Sequence, residues 1–251
     1  MSLTSKKGTD VESGVMQLKM LVFDIKAKLG HFRRPDTTGT HATYPFITRT
    51  VLQGLMASIL GLERLTGENW VGIELLHPVK TCSQEMSMLG KGWLGEAAST
   101  FNRPTSIELV VNPGYRIYYT GDHMEKLHDM LREGLSHYHT YMGSAYCLTF
   151  PRLVQYAQAK EINPESGMEL SCKTVIPSHA IENLVPTAGS QYGRVGGMHY
   201  EYVGDRRFRG TINVIYETNG RPIVFEPRSS INQQKPFRFY NIDTPEVVCL
   251  W

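Results

Sequence analysis

From Leu18 to Leu29 the residues alternate in a way that fits only an extended strand. Leu21, Phe23, Ile25, Ala27 and Leu29 fall on one face. The other face begins apolar with Leu18, Met20 and Val22, then turns to Asp24, Lys26 and Lys28. Such a strand is covered on both sides at its start and wet on one side at its end. It belongs in the interior of a sheet and runs out toward an exposed surface.

The elements that follow set the fold class. After a polar stretch from Gly30 to Thr50, Val51, Leu52, Leu55, Met56, Ile59 and Leu60 recur at helical spacing, with Gly61 placed to end the helix. Val71 to Val79 reads as a second strand, and Thr81 to Thr105 shows no period. Ile107 to Tyr119 is strand material broken by Asn112-Pro113-Gly114. Asp122 and Glu125 have capping-box spacing for a helix through Leu127, Met130 and Leu131, closed by Gly134. Tyr146 to Tyr156 is a further strand. Beyond Lys160 the chain reads as loop-rich until a hairpin, in which Thr211 to Glu217 and Arg221 to Glu226 flank Asn219-Gly220. The leading half is therefore β-α-β-β-α-β, the ferredoxin-like (RRM-like) order of an α+β protein.

Composition narrows the class further. With 41% hydrophobic residues, 20% charged and a net charge of +2, the chain has a real core and is no uniformly basic polyanion binder. No run reaches the ~18 apolar residues of a membrane helix. Met1 to Gly14 is polar, lacks the apolar stretch of a secretion signal, and reads as a flexible tail, so a cytoplasmic protein is expected. Cys82, Cys147, Cys172 and Cys249 form no Cys-x-x-Cys pair and are expected to be reduced.

Few motifs carry chemistry. Phosphate-loop, nucleophile-elbow and His-Glu-x-x-His patterns are absent. The glycine-rich stretch Gly189 to Gly197 is a weak dinucleotide fingerprint and a better candidate for close backbone approach to a partner. His137-x-His139 has no carboxylate or cysteine spaced to complete a metal shell, so it reads as an aromatic linker, and neither metal nor cofactor is expected. The informative block runs from Asp24 to Arg49. Lys26, Lys28, Arg33, Arg34 and Arg49 stand there against only Asp24 and Asp36, with His31, His41, Tyr44 and Phe46 interleaved. Cations neutralise phosphates, aromatic faces stack on unpaired bases, and a helix N-terminus lies just beyond. Composition alone fits a solvated loop equally well. A second cluster, Arg206-Arg207-Phe208-Arg209, reads either as a phosphate clamp or as a solvated turn.

Two segments carry a family resemblance. FDIKAKLGHFRRPDTTGTHATYPFITRTVLQGLMASILG, from Phe23 to Gly61, resembles the start of the CRISPR-associated protein 5 family: a strand, a polar loop, a Tyr-Pro-Phe segment and a small-residue helix. YHTYMGSAYCLTF, from Tyr138 to Phe150, is similar to that family's second marker. The resemblance implies a ferredoxin-like RAMP domain over residues 15–157 and a smaller β-rich part over 158–251. It also implies a thumb hairpin over about 80–105, with Gly90, Lys91 and Gly92 near its tip and Trp93 beside it. The implied function is a subunit of a type I Cascade complex. That subunit binds and caps the 5′ handle of the crRNA and contacts the backbone and large subunits. Through its thumb it meets target DNA at the PAM-proximal end of the guide. By this reading Lys26, Lys28, His31, Arg33, Arg34, Tyr44, Arg49, Arg206, Arg207 and Arg209 touch RNA. One branch of the family cleaves precursor RNA with a Tyr, a Lys and a His. Tyr44 matches the tyrosine, but no Lys precedes a His in this chain, so a non-catalytic member is expected.

Overall fold

The computed structural model describes residues 17–37, 39–91, 100–165, 167–228, 237–242 and 247–251. The expected tail at 1–14, Gly92 and Trp93 lie outside the described residues. In chain order the elements are β1 (Gln17–Lys26), β2 (Leu29–Gly30), α1 (Arg49–Leu60), β3 (Asn69–Leu75), β4 (Thr81–Lys91), β5 (Thr100–Val111) and β6 (Gly114–Gly121). Then come α2 (Met124–Glu133), β7 (Arg152–Ile162), β8 (Leu170–Cys172), β9 (Ile176–Pro177), a 3-10 turn (Ser178–Ala180) and β10 (Ile181–Leu184). The last five strands are β11 (Tyr192–Gly204), β12 (Arg207–Glu217), β13 (Ile223–Pro227), β14 (Arg238–Asn241) and β15 (Val247–Leu250). The chain is mostly β.

Nine strands form one sheet in the order β10-β13-β8-β15-β14-β7-β1-β6-β3. β1 is interior, as its alternation requires, and pairs antiparallel with β6 and with β7. The sheet curls until its edge strand β3 meets the other side: Val71 and Trp251 exchange backbone hydrogen bonds of 3.3 and 3.0 Å, and Val175 N–H donates to the Ile73 carbonyl at 2.8 Å. This closure explains the second apolar face of β1. Met20 and Val22 point into the curl among Tyr118, Ala157, Ala159, Tyr240, Val248 and Leu250. Leu21, Phe23 and Ile25 lie on the outer face, under Leu52, Met56 and Ile59 of α1 and Leu127 and Leu131 of α2. Asp24, past the covered stretch, pairs with Arg116 at 2.8 Å.

Local chemistry ends the helices as expected in most places. Thr48 Oγ1 accepts from Val51 N–H at 3.3 Å to cap α1, and Gly61 ends it at φ 73°. Gly134 ends α2 at φ 67°. The capping box at Asp122 does not form: His123 caps α2 at φ 64° without a side-chain bond, because the Asp122 carboxylate accepts from Glu68 N–H at 3.2 Å. The second strand stops at Leu75 rather than Val79, and the strand expected from Tyr146 begins at Arg152.

Two larger differences concern hairpins. Thr81 to Thr105 is regular after all. β4 and β5 pair from Thr81 opposite Val110 to Lys91 opposite Thr100, each strand about 35 Å long. Most of the described side chains in its outer half are exposed, so no hydrophobic alternation marks it. Asn219-Gly220, in turn, does not close a hairpin. β12 pairs with β11 and β9, whereas β13 pairs with β10 and β8 in the large sheet. The turn is shaped by the buried Glu217 carboxylate, which accepts from the N–H groups of Gln191 (2.9 Å), Asn219 (2.8 Å) and Arg221 (2.8 Å). Gly220, at φ 77°, lies against the Leu75 carbonyl where a Cβ would be 2.2 Å away. The two-residue hairpin of this region is Asp205-Arg206, at φ 50° and 57°, which joins β11 to β12. The region beyond Lys160 is thus rich in strands, not loops.

Gly72 tests the closure. A Cβ there would lie 2.8 Å from Leu250 Cδ2 and 2.9 Å from the Cys249 carbonyl oxygen. Gly72→Val is expected to destabilise the fold by about 2–3 kcal/mol, about 5–10 °C in thermal denaturation. An unchanged Tm would mean that β3 and β15 do not meet.

Candidate nucleic-acid interface

The polar stretch after β2 is a folded loop. Arg34 N–H donates to the Ala42 carbonyl (2.9 Å), Tyr44 N–H to the Phe32 carbonyl (2.7 Å), and Phe32 N–H to Thr43 Oγ1 (2.8 Å). Phe32 is buried beneath, its ring tilted 60° to that of Tyr115 with centroids 6.1 Å apart. Glu108 of β5 pins this loop from the side. Its carboxylate accepts from Thr43 N–H (3.0 Å), its carbonyl from His31 Nδ1 (2.8 Å), and its own N–H donates to the His41 carbonyl (3.0 Å). The loop's backbone is therefore satisfied internally, which leaves the Arg33 and Arg34 side chains on the surface.

Tyr44 stands at the junction of two clefts. The first, of about 370 Å³, is lined by Arg34, Tyr44, Arg194, Gly196 and Tyr216. The second, of about 350 Å³, is lined by His31, Arg33, Tyr44, Thr50, His199 and Phe208. Together they form a groove between the loop, the start of α1 and the β11–β12 hairpin. Phe208 and His199 stack with centroids 4.1 Å apart and rings 7° from parallel. The glycine-rich stretch supplies Arg194 and Gly196 from within β11, where the register shifts between Val195 and Met198. It lies in a strand, not between strand and helix.

Burial and neighbouring charge shift the titratable groups of the groove. Burial, with help from Asp36 and against Arg34, pushes the Tyr44 phenol above its usual range, so at neutral pH it is a hydrogen-bond donor. Burial, then the nearby Arg33, His31 and Arg103, lower the His41 imidazole, which stays neutral at pH 7. The Arg34 guanidinium is bidentate on Asp36 at 3.1 and 2.6 Å.

The sequence-derived candidates separate into five places. His31, Arg33, Arg34 and Tyr44 converge on the groove. Lys26 and Lys28 line a different cleft of about 590 Å³ with Leu29, Tyr146, Leu148 and Phe150. Arg206 sits in the hairpin turn, Arg207 pairs with Asp205 at 3.0 Å, and Arg209 pairs with Glu201 at 2.6 Å, beside the groove residue Phe208. Arg49 must be reassigned. It is 3% exposed, and its guanidinium donates to the carbonyls of Trp251 (3.1 Å), Tyr200 (3.1 Å) and Asn69 (2.8 Å) and to Asn69 Oδ1 (2.7 Å). It also stacks on the Tyr200 ring at 4.3 Å. Its position at a helix start looked like an anion site, but this cation is consumed inside the protein. Gly90 and Lys91 lie at the outer end of β4. His137 packs on Gly61 and Tyr138, and among the described residues no three His, Cys, Asp or Glu side chains gather to hold a metal.

Arg194, His199, Tyr216 and Glu108 escaped the sequence reading. The only signal was the glycine-rich stretch, read as a site of close approach.

Residues 20–180 match the family model described as CRISPR-associated protein (Cas_Cas5), a span that includes both resembling segments. The protein belongs to this family. Among solved structures, a chain from a "CRISPR RNA-guided surveillance complex" aligns over 86% of this chain and 95% of its own, with 11% identity and a TM-score of 0.51, a likeness of fold. A "Crystal structure of Cas protein" covers 80% of this chain and 95% of its own at 14% identity and a TM-score of 0.42. No curated protein matches the sequence. Among the described residues no helix is long and apolar enough to cross a membrane.

Arg49→Ala strands three carbonyls that now share one buried cation. It is expected to cost about 3–5 kcal/mol, roughly 10 °C in Tm. Arg33→Ala, on the exposed loop, is expected to leave Tm unchanged. Equal effects of the two in thermal denaturation would contradict the division between structural and surface arginines.

Proposed function

We propose that this protein is a non-catalytic subunit of a type I CRISPR Cascade effector that binds and caps the 5′ handle of the crRNA in the groove around Tyr44. One observation carries the reading: Tyr44 is shared by two clefts that unite Arg33, Arg34 and Arg194 with the His199–Phe208 stack. Cations along a groove with aromatic faces between them are what a single-stranded polyanion with unpaired bases requires.

Other features support the remaining parts of the proposal. The four strands β7-β1-β6-β3 are joined in chain order by α1, the β4–β5 insertion and α2. That order supports a ferredoxin-like RAMP domain over 15–157, with the β-rich part at 158–251. The β4–β5 hairpin, inserted between β3 and β6, is long and exposed, with Leu89 72% accessible; it serves as the thumb, carrying Gly90 and Lys91 toward the start of the guide–target duplex. Tyr146, Leu148 and Phe150 are exposed together beside Lys26 and Lys28 and form a surface for the backbone or large subunit. A cytoplasmic ribonucleoprotein without a cofactor follows from this function.

The non-catalytic reading is supported by the sequence, in which no lysine directly precedes a histidine. Incubation of the protein with precursor RNA in EDTA is expected to leave the RNA intact. Defined cleavage 5′ of the handle would make it the processing nuclease instead.

Binding of repeat-derived RNA by the isolated chain is expected to be weak and salt-sensitive. Each single-strand phosphate neutralised contributes about 0.7 to the slope of log K against log salt. Substituting Arg33, Arg34 and Arg194 with Ala together should therefore lower the slope by about 2. An unchanged slope would remove the groove from the RNA path.

A further inference from the structure

The first cleft carries a charge that runs against an anion site. Among the described residues that line the two clefts, Glu108 is the one acid. It stands in the first cleft with Arg34, Tyr44 and Arg194. The residue is half-buried, and its Oε2 accepts from Thr43 N–H at 3.0 Å. Among the described residues Oε1 accepts no hydrogen bond, and the carboxylate makes no salt bridge with either arginine; Arg34 is committed to Asp36. A neutral amide would hold the Thr43 N–H as well, without setting a negative charge against phosphates. Pinning the loop therefore accounts for one oxygen of Glu108, and for neither the other oxygen nor the charge.

The chemistry of a nucleic-acid strand supplies the missing partner. The sugar-phosphate backbone of DNA offers acceptors only. That of RNA adds one donor per nucleotide, the 2′-hydroxyl. An ionised acceptor makes a stronger hydrogen bond to such a donor than a neutral one does. The neighbours of Glu108 suit the rest of the same unit: Arg34, Arg194 and the Tyr44 phenol bring donors for adjoining phosphate oxygens. The His199–Phe208 stack lines the second cleft instead. Ring faces thus lie on one side of Tyr44, and donors with a single anionic acceptor on the other.

We infer that Glu108 Oε1 accepts a hydrogen bond from a ribose 2′-hydroxyl seated in the first cleft, and that Glu108 thereby makes the groove prefer RNA to DNA. The inference rests on the groove binding RNA and adds a specificity-determining residue to it. A deoxyribose there leaves the carboxylate with no donor and a phosphate nearby, so the charge that holds one sugar repels the other. The preference is for the sugar and is independent of the base, which the stacking groups accept in any form.

The test uses the full chain and fluorescein-labelled octamers of uridine, 2′-fluorouridine and 2′-deoxyuridine, read by anisotropy at low salt. The 2′-fluoro sugar keeps the pucker of ribose and every base donor, and removes only the hydroxyl donor. The uridine octamer is expected to bind roughly tenfold tighter than either of the others. Glu108→Gln keeps an oxygen for Thr43 N–H, presents an amide donor in place of Oε1 and removes the charge. It is expected to bind the uridine and 2′-fluorouridine octamers within about twofold of each other, and the latter more tightly than the wild type does. Equal wild-type affinity for the uridine and 2′-fluorouridine octamers, or a tenfold preference that survives Glu108→Gln, overturns the inference and leaves the groove standing. Failure of every octamer to bind overturns both.

Discussion

One buried guanidinium ties this molecule together. Arg49 opens α1, yet its donors reach Asn69 at the start of β3, Tyr200 in β11 and the Trp251 carbonyl, and its flat face covers the Tyr200 ring. Burial lowers its pKa, and a guanidinium keeps its charge inside proteins. A charge there is tolerable only because four oxygens surround it. That network locks the closing edge of the curled sheet and holds β11 against α1. The hairpin that follows β11 is what carries His199 and Phe208 to the groove, so the binding surface depends on a cation it does not display.

Three cations in or beside the groove are held differently. Arg34 pairs with Asp36, Arg207 with Asp205 and Arg209 with Glu201, all at exposed positions. Exposed pairs contribute about 0–1 kcal/mol each, so a phosphate displaces the carboxylate at little cost. These local pairs reconcile a net charge of +2 with an anion-binding face. Positive charge is concentrated where the chain places it and balanced elsewhere. In the proposed function, such an arrangement screens the protein from random polyanions and leaves a place for one strand that follows the groove.

Much of the fold was legible in the residues. The double-faced alternation of β1, the period and caps of α1, and the glycine ending α2 each reflect local chemistry that burial reinforces. The β4–β5 hairpin was not legible, because a ladder with most of its outer side chains in water carries no hydrophobic period. The Asn219-Gly220 turn misled because hairpin chemistry was overridden by Glu217, whose carboxylate accepts three backbone N–H groups and sends the next strand to another sheet. In the site, the loop residues His31, Arg33, Arg34 and Tyr44 lie close in sequence and could be read together. Arg194, His199 and Tyr216 reach the same groove from about 150 residues away through β11 and β12, a juxtaposition made only by folding. Arg49 had the right type and place for an anion site, and only its burial reveals the other role.

The central claim is that a guide strand lies across Tyr44 between the loop and the β11–β12 hairpin. Photocrosslinking within the assembled ribonucleoprotein tests it most directly, with 4-thiouridine placed in the 5′ handle and the modified peptides mapped by mass spectrometry. The account predicts crosslinks in residues 31–45 and 194–208. Crosslinks confined to the aromatic surface at 146–150, with the Tyr44 groove unmodified, would contradict it.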